Sequence, residues 1–236
     1  MQADLLIYDA AQVVTVASLA GPKRGPAMGE LGLITDGAVA IRDGRILAVG
    51  PSTDLRRRVN AARSLDASGR LVMPGFVDAH THLVWAGDRA SEFEMRLAGA
   101  SYMEIMAAGG GIMNTVRHTR AAALEGLVAQ TRTRLERMLV HGTTTVEIKT
   151  GYGLNTEAER KQLQAIHRLQ EDSPATLVPT FLGAHAIPAE YAGRSDEYVD
   201  LVVDEMLPAV AEGTPPAFCD VFCEEGAFSL AQSRRI

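Results

Sequence analysis

LVMPGFVDAHTHLVWAGDR, residues Leu71 to Arg89, is the stretch from which the rest of the chain is read. Its apolar run from Leu71 to Ala79 reads as a buried strand ending at His80-Thr81-His82. Side chains alternate along a strand, so His80 and His82 face one way, with Asp78, and Thr81 the other. Two imidazoles at a strand end make half of a metal-ligand set, since a catalytic zinc takes ~3 protein ligands and a water. The plain alternative is a pair of ordinary histidines where a strand meets a loop.

Working outward, the N-terminal side reads as strands and turns. Gln2 to Val16 holds two apolar runs, LLIY and VVTV, and Ala20 to Gly32 is a Gly/Pro-rich loop. Ala38 to Ile41 and Arg45 to Val49 form a hairpin around Asp43-Gly44. A short helix follows to Val59, capped by Ser52 or Thr53, and Ala61 to Gly69 is a connection. Residues 1–66 therefore read as part of a small β-sandwich domain, and 67–236 as a second domain.

On the C-terminal side, strands alternate with helices. Three consecutive glycines, Gly109 to Gly111, form a turn ahead of the amphipathic helix from Ala121 to His141. Its Arg132, Arg134 and Arg137 read as charges on a solvated face. Thr143 to Thr150 is a β-branched strand, and Asn155-Thr156 caps the next helix, with Glu157 and Glu159 as first-turn acids. Ala175 to Leu182 and Phe218 to Glu224 are further strands, separated by a helix from Ser195 to Glu212. This alternation predicts an α/β fold with parallel strands and right-handed crossovers. In such folds chemistry gathers at the C-terminal strand ends, which selects His80, His82, Arg89, Lys149, Tyr152, His185 and Glu224/Glu225. His118, His141 and His167 fall on helices and read as structural.

Bulk properties narrow the partners. The 236 residues are 47% hydrophobic and 22% charged, with a formal net charge of −6. That balance argues against a nucleic-acid or anionic-membrane partner. No apolar run reaches the ~20 residues of a membrane span, and the N-terminus lacks signal-peptide character, so the cytoplasm is expected. Cys219 and Cys223 read as buried thiols of a reducing compartment.

The run from Pro74 to His82, PGFVDAHTH, resembles the amidohydrolase superfamily, in which this pattern ends the first strand of a (β/α)8 TIM barrel. HTHLVWAGDRASEFEMRLAGASYMEIMAAGGGI, VEIKTGYGLN and FLGAHAIP together resemble the imidazolonepropionase family within it. The resemblance implies hydrolysis of the cyclic amide C–N bond of 4-imidazolone-5-propanoate to N-formimidoyl-L-glutamate, in histidine degradation. It implies one divalent metal ion, zinc or iron, held by His80 and His82. It implies substrate binding by Arg89, Tyr152 and His185, with His185 also catalytic, and a homodimer of the full-length protein. A guanidinium suits the propanoate carboxylate.

A complete barrel needs ~250 residues. The expectation is therefore the N-terminal portion, about four strands, of the barrel in a longer protein, with the family's remaining ligands and acid/base beyond Ile236. The chain alone is expected to bind metal weakly and to turn nothing over. Two rivals stand beside this reading: a guanine deaminase or dihydroorotase relative, and a catalytically dead structural piece.

Overall fold

The computed structural model describes residues 1–18, 21–213 and 215–236. Of the loop expected from Ala20, that residue lies outside the described set, and Gly25–Gly29 forms a 3-10 turn. The chain divides into two compact units, Met1–Pro74 and Gly75–Ile236.

The first unit is one five-stranded sheet. Its strands are β1 (Gln2–Val14), β2 (Leu33–Arg42), β3 (Arg45–Pro51), β4 (Asn60–Asp66) and β5 (Leu71–Val72), in the order β3-β2-β1-β4 with β5 also on β1. The β2–β3 turn has positive φ at both Asp43 (53°) and Gly44 (69°), as a two-residue hairpin on right-twisted strands requires. Helix α1 (Ser52–Arg58) packs Leu55 against Leu6, Ala38 and Ala40 on one sheet face. No side chain caps α1, because Ser52 Oγ is turned to Asp9 instead. β4 falls where a connection was expected. Its polar sequence, NAARSLD, hides a strand that lies parallel to β1.

The central stretch is two strands. Leu71–Val72 pairs with β1, Pro74 cannot donate to a ladder, and β6 (Phe76–Thr81) begins the second unit. The division therefore falls after Pro74, not after residue 66. Nor is the stretch buried. Phe76 is 54% exposed and Val77 67%, because β6 has a single neighbour in its sheet.

The second unit is mixed α/β. Its sheet runs β6-β7-β8-β9, all parallel, with β7 at Thr143–Lys149, β8 at Thr176–Ala184 and β9 at Phe218–Val221. Helices α2 (Ala90–Leu97), α3 (Tyr102–Ala107), α4 (Ile112–Ala121) and α5 (Leu124–Val140) lie between β6 and β7. Helix α6 (Thr156–Gln170) joins β7 to β8, with Asn155 accepting from Ala158 N as its cap. The segment from Ser195 to Glu212 comprises α7 (Ser195–Leu201), a π-helical turn at Val202–Met206 and α8 (Leu207–Glu212). The π turn precedes Pro208, which has no N–H for the carbonyl one turn back.

Alternation explains the core. Val146 and Ile148 of β7 and Leu177 and Phe181 of β8 meet Leu163, Ile166 and Leu169 of α6, all 5% exposed or less. Each such side chain contributes about 1.5–3 kcal/mol by leaving water. Thr143, Thr145, Glu147 and Lys149 alternate with that apolar set on β7. Cys219 and Cys223 are exposed, not buried, because β9 is the short last strand of this sheet.

Candidate active site

The end of β6 and the loops after β6, β7 and β8 bring the singled-out rings together. The His80 and His82 ring centroids are 5.8 Å apart. His82 stacks on His185 at 4.5 Å and lies 5.2 Å from Tyr152, while Tyr152 and His185 are 5.6 Å apart. Phe222, which sequence reasoning passed over, meets His185 edge-on at 6.0 Å. Asp78 does not continue a clean alternation into this cluster. A register shift between Asp78 and Thr81 breaks the pattern, and Asp78 Oδ1 accepts from His80 N.

The imidazoles of His82 and His185 are held in defined tautomers. His82 Nδ1 lies 3.0 Å from Thr150 O, and His185 Nδ1 lies 2.9 Å from Gly151 O. A carbonyl oxygen only accepts, so each Nδ1 carries the hydrogen and each Nε2 keeps its lone pair. Burial, reinforced by neighbouring His185, pushes the His82 pKa down to about 4. Burial likewise lowers His185. Both rings are neutral at pH 7, the form that binds a metal or takes a proton.

This is the arrangement a metal-ligating histidine shows, with Nδ1–H on a backbone carbonyl and Nε2 presented. His82 therefore fits a divalent metal, and the exposed His80 beside it offers a second imidazole. Among the described residues, no three His, Cys, Asp or Glu side chains converge as a complete centre.

Next to Tyr152 opens a cavity of about 340 Å³ lined by Trp85, Asp88, Arg89, Thr115 and Tyr152. Arg89 donates from Nε and Nη2 to Thr115 Oγ1 at 3.2 and 3.0 Å. Burial raises the Tyr152 pKa despite nearby Arg89, so its hydroxyl stays protonated. Asp88 turns its carboxylate to Ala90 N at the start of α2. Arg134 is no solvated-face charge. It stacks 3.5 Å from the Trp85 ring and donates to Leu83 O and Trp85 O, bracing the loop that lines the cavity.

Lys149 ends β7, near enough to His82 for its charge to act on that ring. It bonds Glu147 at 2.8 Å and Asp220 at 3.0 Å. Burial works against its charge, but these two carboxylates outweigh it and the pKa rises. Glu224 and Glu225 stand exposed after β9. His118 and His141 each bond a carbonyl of their own helix through Nδ1.

Thr115, Phe222 and Asp220 escaped sequence reasoning, since their partners lie 26 to 71 residues away in the chain. Glu159 escaped it too. It is fully buried and takes backbone amides of the loop that carries Tyr152.

Comparison with known proteins follows the same lines. An imidazolonepropionase from Chloroflexus aggregans is 58% identical over 99% of this chain and 57% of its own length. That of Symbiobacterium thermophilum is 54% identical over 99% of this chain and 55% of its own. The chain thus spans about half the length of the curated relatives it matches. Among solved structures, an atrazine chlorohydrolase from Arthrobacter aurescens TC1, complexed with zinc, aligns with a TM-score of 0.54 at 18% identity, covering 92% of this chain and 46% of that one. E. coli guanine deaminase aligns with a TM-score of 0.52 at 16% identity, covering 90% and 45%. These two share the fold. The model of an imidazolonepropionase-like composite domain of bacteria matches residues 37–58. The model described as the amidohydrolase family matches residues 63–186, more than half of the sequence, and the chain belongs to that family.

Proposed function

We propose that this chain carries the metal-pair and substrate-gripping residues of an imidazolonepropionase, which opens 4-imidazolone-5-propanoate to N-formimidoyl-L-glutamate. It would do so on the first four strands of a (β/α)8 barrel. The carrying observation is the convergence of His82, His185 and Tyr152 beside a cavity holding Arg89. The long similarity to imidazolonepropionases supports the same choice.

In this reading His80 and His82 hold one zinc or iron ion. When bound, the ion supplies Lewis acidity and makes water nucleophilic at neutral pH. Two imidazoles fall short of the ~3 ligands of a catalytic zinc, so in this reading the whole enzyme would complete the set with side chains from later strands. Arg89 keeps its Nη1–Nη2 edge for the propanoate carboxylate, because Thr115 occupies the Nε side. Tyr152, protonated, donates a hydrogen bond to the bound substrate. His185 presents a lone pair at Nε2, so the neutral ring takes a proton rather than polarising the carbonyl. The cytoplasm, a homodimer and a small-molecule partner belong to the same proposal.

Binding separates this reading from its rivals. Titration calorimetry on the chain should show 3-(imidazol-4-yl)propanoate binding, weakened about tenfold or more in Arg89→Leu through loss of a charge-assisted pair. Preferential binding of guanine or dihydroorotate, or no effect of Arg89→Leu, would reject it.

A further inference from the structure

The loop from Thr150 to Leu154 is where the site is assembled. Its Thr150 and Gly151 carbonyls hold the Nδ1–H groups of His82 and His185, and it carries Tyr152. The loop is held in turn by one buried carboxylate. Glu159 of α6, 0% exposed, accepts from Gly151 N through Oε2 at 3.1 Å. Its Oε1 accepts from Gly153 N and Leu154 N, both at 2.8 Å. Gln162, one turn on, accepts from Tyr152 N at 3.4 Å. From the other side Arg120 donates to Gly153 O and Leu154 O at 2.6 and 3.0 Å.

The loop would not take this path unaided. Leu154 is held at φ 53°, a left-handed conformation that a leucine adopts at a cost. Gly151 has φ +103°, and a Cβ there would stand 2.8 Å from the His185 ring nitrogen. At Gly153 a Cβ would stand 2.5 Å from Glu159 N. The backbone is pressed against both the histidine and the helix that holds it.

We infer that Glu159 is a positioning residue for the candidate site, gathering three amides so that the same loop's carbonyls lock His82 and His185 with Nε2 free and aim Tyr152 at the cavity. Gln162 assists by accepting from Tyr152 N and Arg120 by donating to Gly153 O and Leu154 O. The consequence for metal and substrate rests on the function proposed above; the tautomers do not.

The test is long-range 1H–15N NMR of the histidine-labelled chain, with amide exchange and zinc titration. In the unaltered chain, His82 and His185 carry their hydrogen on Nδ1, and the Gly151, Gly153 and Leu154 amides exchange as slowly as those of β7. Glu159→Gln keeps the shape but puts an NH2 where an acceptor stood. It should speed exchange at those three amides, mix the tautomers of both rings and weaken zinc binding about 10–100-fold. Leu163→Ala, on the same helix but outside the loop, should lower the melting temperature and leave both tautomers intact. Unchanged tautomers and exchange in a folded Glu159→Gln would overturn the inference. So would Nε2–H rings or fast loop amides in the unaltered chain, a result that stands even if the variant does not fold. A tautomer change with no zinc binding in either protein would keep the positioning role and discard the metal reading.

Discussion

Among the described residues the two sheets each leave a face without a helix, and the two faces differ in kind. In the first unit that face is apolar: Ile7, Val13, Val39, Ile41, Ile46 and Val49 help line a cavity of about 380 Å³. In the second unit the face opposite the helix-covered core carries Glu147, Lys149, Thr180 and Asp220, joined by ion pairs and hydrogen bonds. An apolar face gains from being covered and needs no other explanation. A buried cation between two carboxylates is costly to desolvate, and apolar residues would often stabilise as well. The first face is what packing asks for; the second holds charge at the expense of packing, on the same strands whose ends carry the candidate site.

The sharpest way to break this contrast uses neighbours on one strand. Ile148 faces the helices at 0% exposure, so Ile148→Ala should cost about 2–5 kcal/mol in urea unfolding. A smaller loss would mean that the covered face is loosely packed.

Acid comes next. His82 titrates at about 4 in the fold, against 6.5 when unfolded, first because it is buried and then because His185 is near. The unfolded chain therefore binds the proton first as pH falls. Stability is complete above about pH 6.5, declines towards about pH 4 and is then flat in this term, a loss of at most about 3 kcal/mol. His185 acts in the same direction. Urea midpoints of metal-free protein between about pH 7 and 4.5 check this, and His82→Asn should flatten the decline.

On the open face, Lys149→Met strands Glu147, whose Oε2 already lacks a hydrogen-bond partner among the described residues. The loss should be about 2 kcal/mol, below that of a fully buried pair because Asp220 is half-exposed. Adding Glu147→Leu should recover most of it. If the double variant stays as unstable as the single, the face is a packing element after all. The smallest effect belongs to the first unit. Ile46, 69% exposed, should accept lysine within about 0.5 kcal/mol while binding of a hydrophobic dye falls.

Sequence reading reached as far as short-range pattern reaches. The parallel α/β unit was legible because apolar pairs such as Val146 and Ile148 recur at strand period, and Asn155 announces its helix. His80, His82, Tyr152 and His185 were legible as candidates because each sits just past a run of strand-forming residues. What stayed hidden depends on distant partners. Arg134 looks like any helix arginine until Trp85, 49 residues before it, supplies the ring beneath it. Glu159 looks like a first-turn acid until the loop folds back over α6. The split at Pro74 stayed hidden because Leu71–Val72 continues the apolar run of β6 yet pairs with β1.

The proposed metal site rests on the pair of imidazoles 80 and 82, of which His82 has its Nε2 lone pair left free by the Nδ1–H bond to Thr150 O. Zinc titration of the 15N-histidine chain tests it most directly. Zinc added to saturation should move the ring 15N signals of His80 and His82, and His82→Ala should abolish both the change at His80 and the binding. Zinc that leaves those signals still, or binds equally well to His82→Ala, would contradict it.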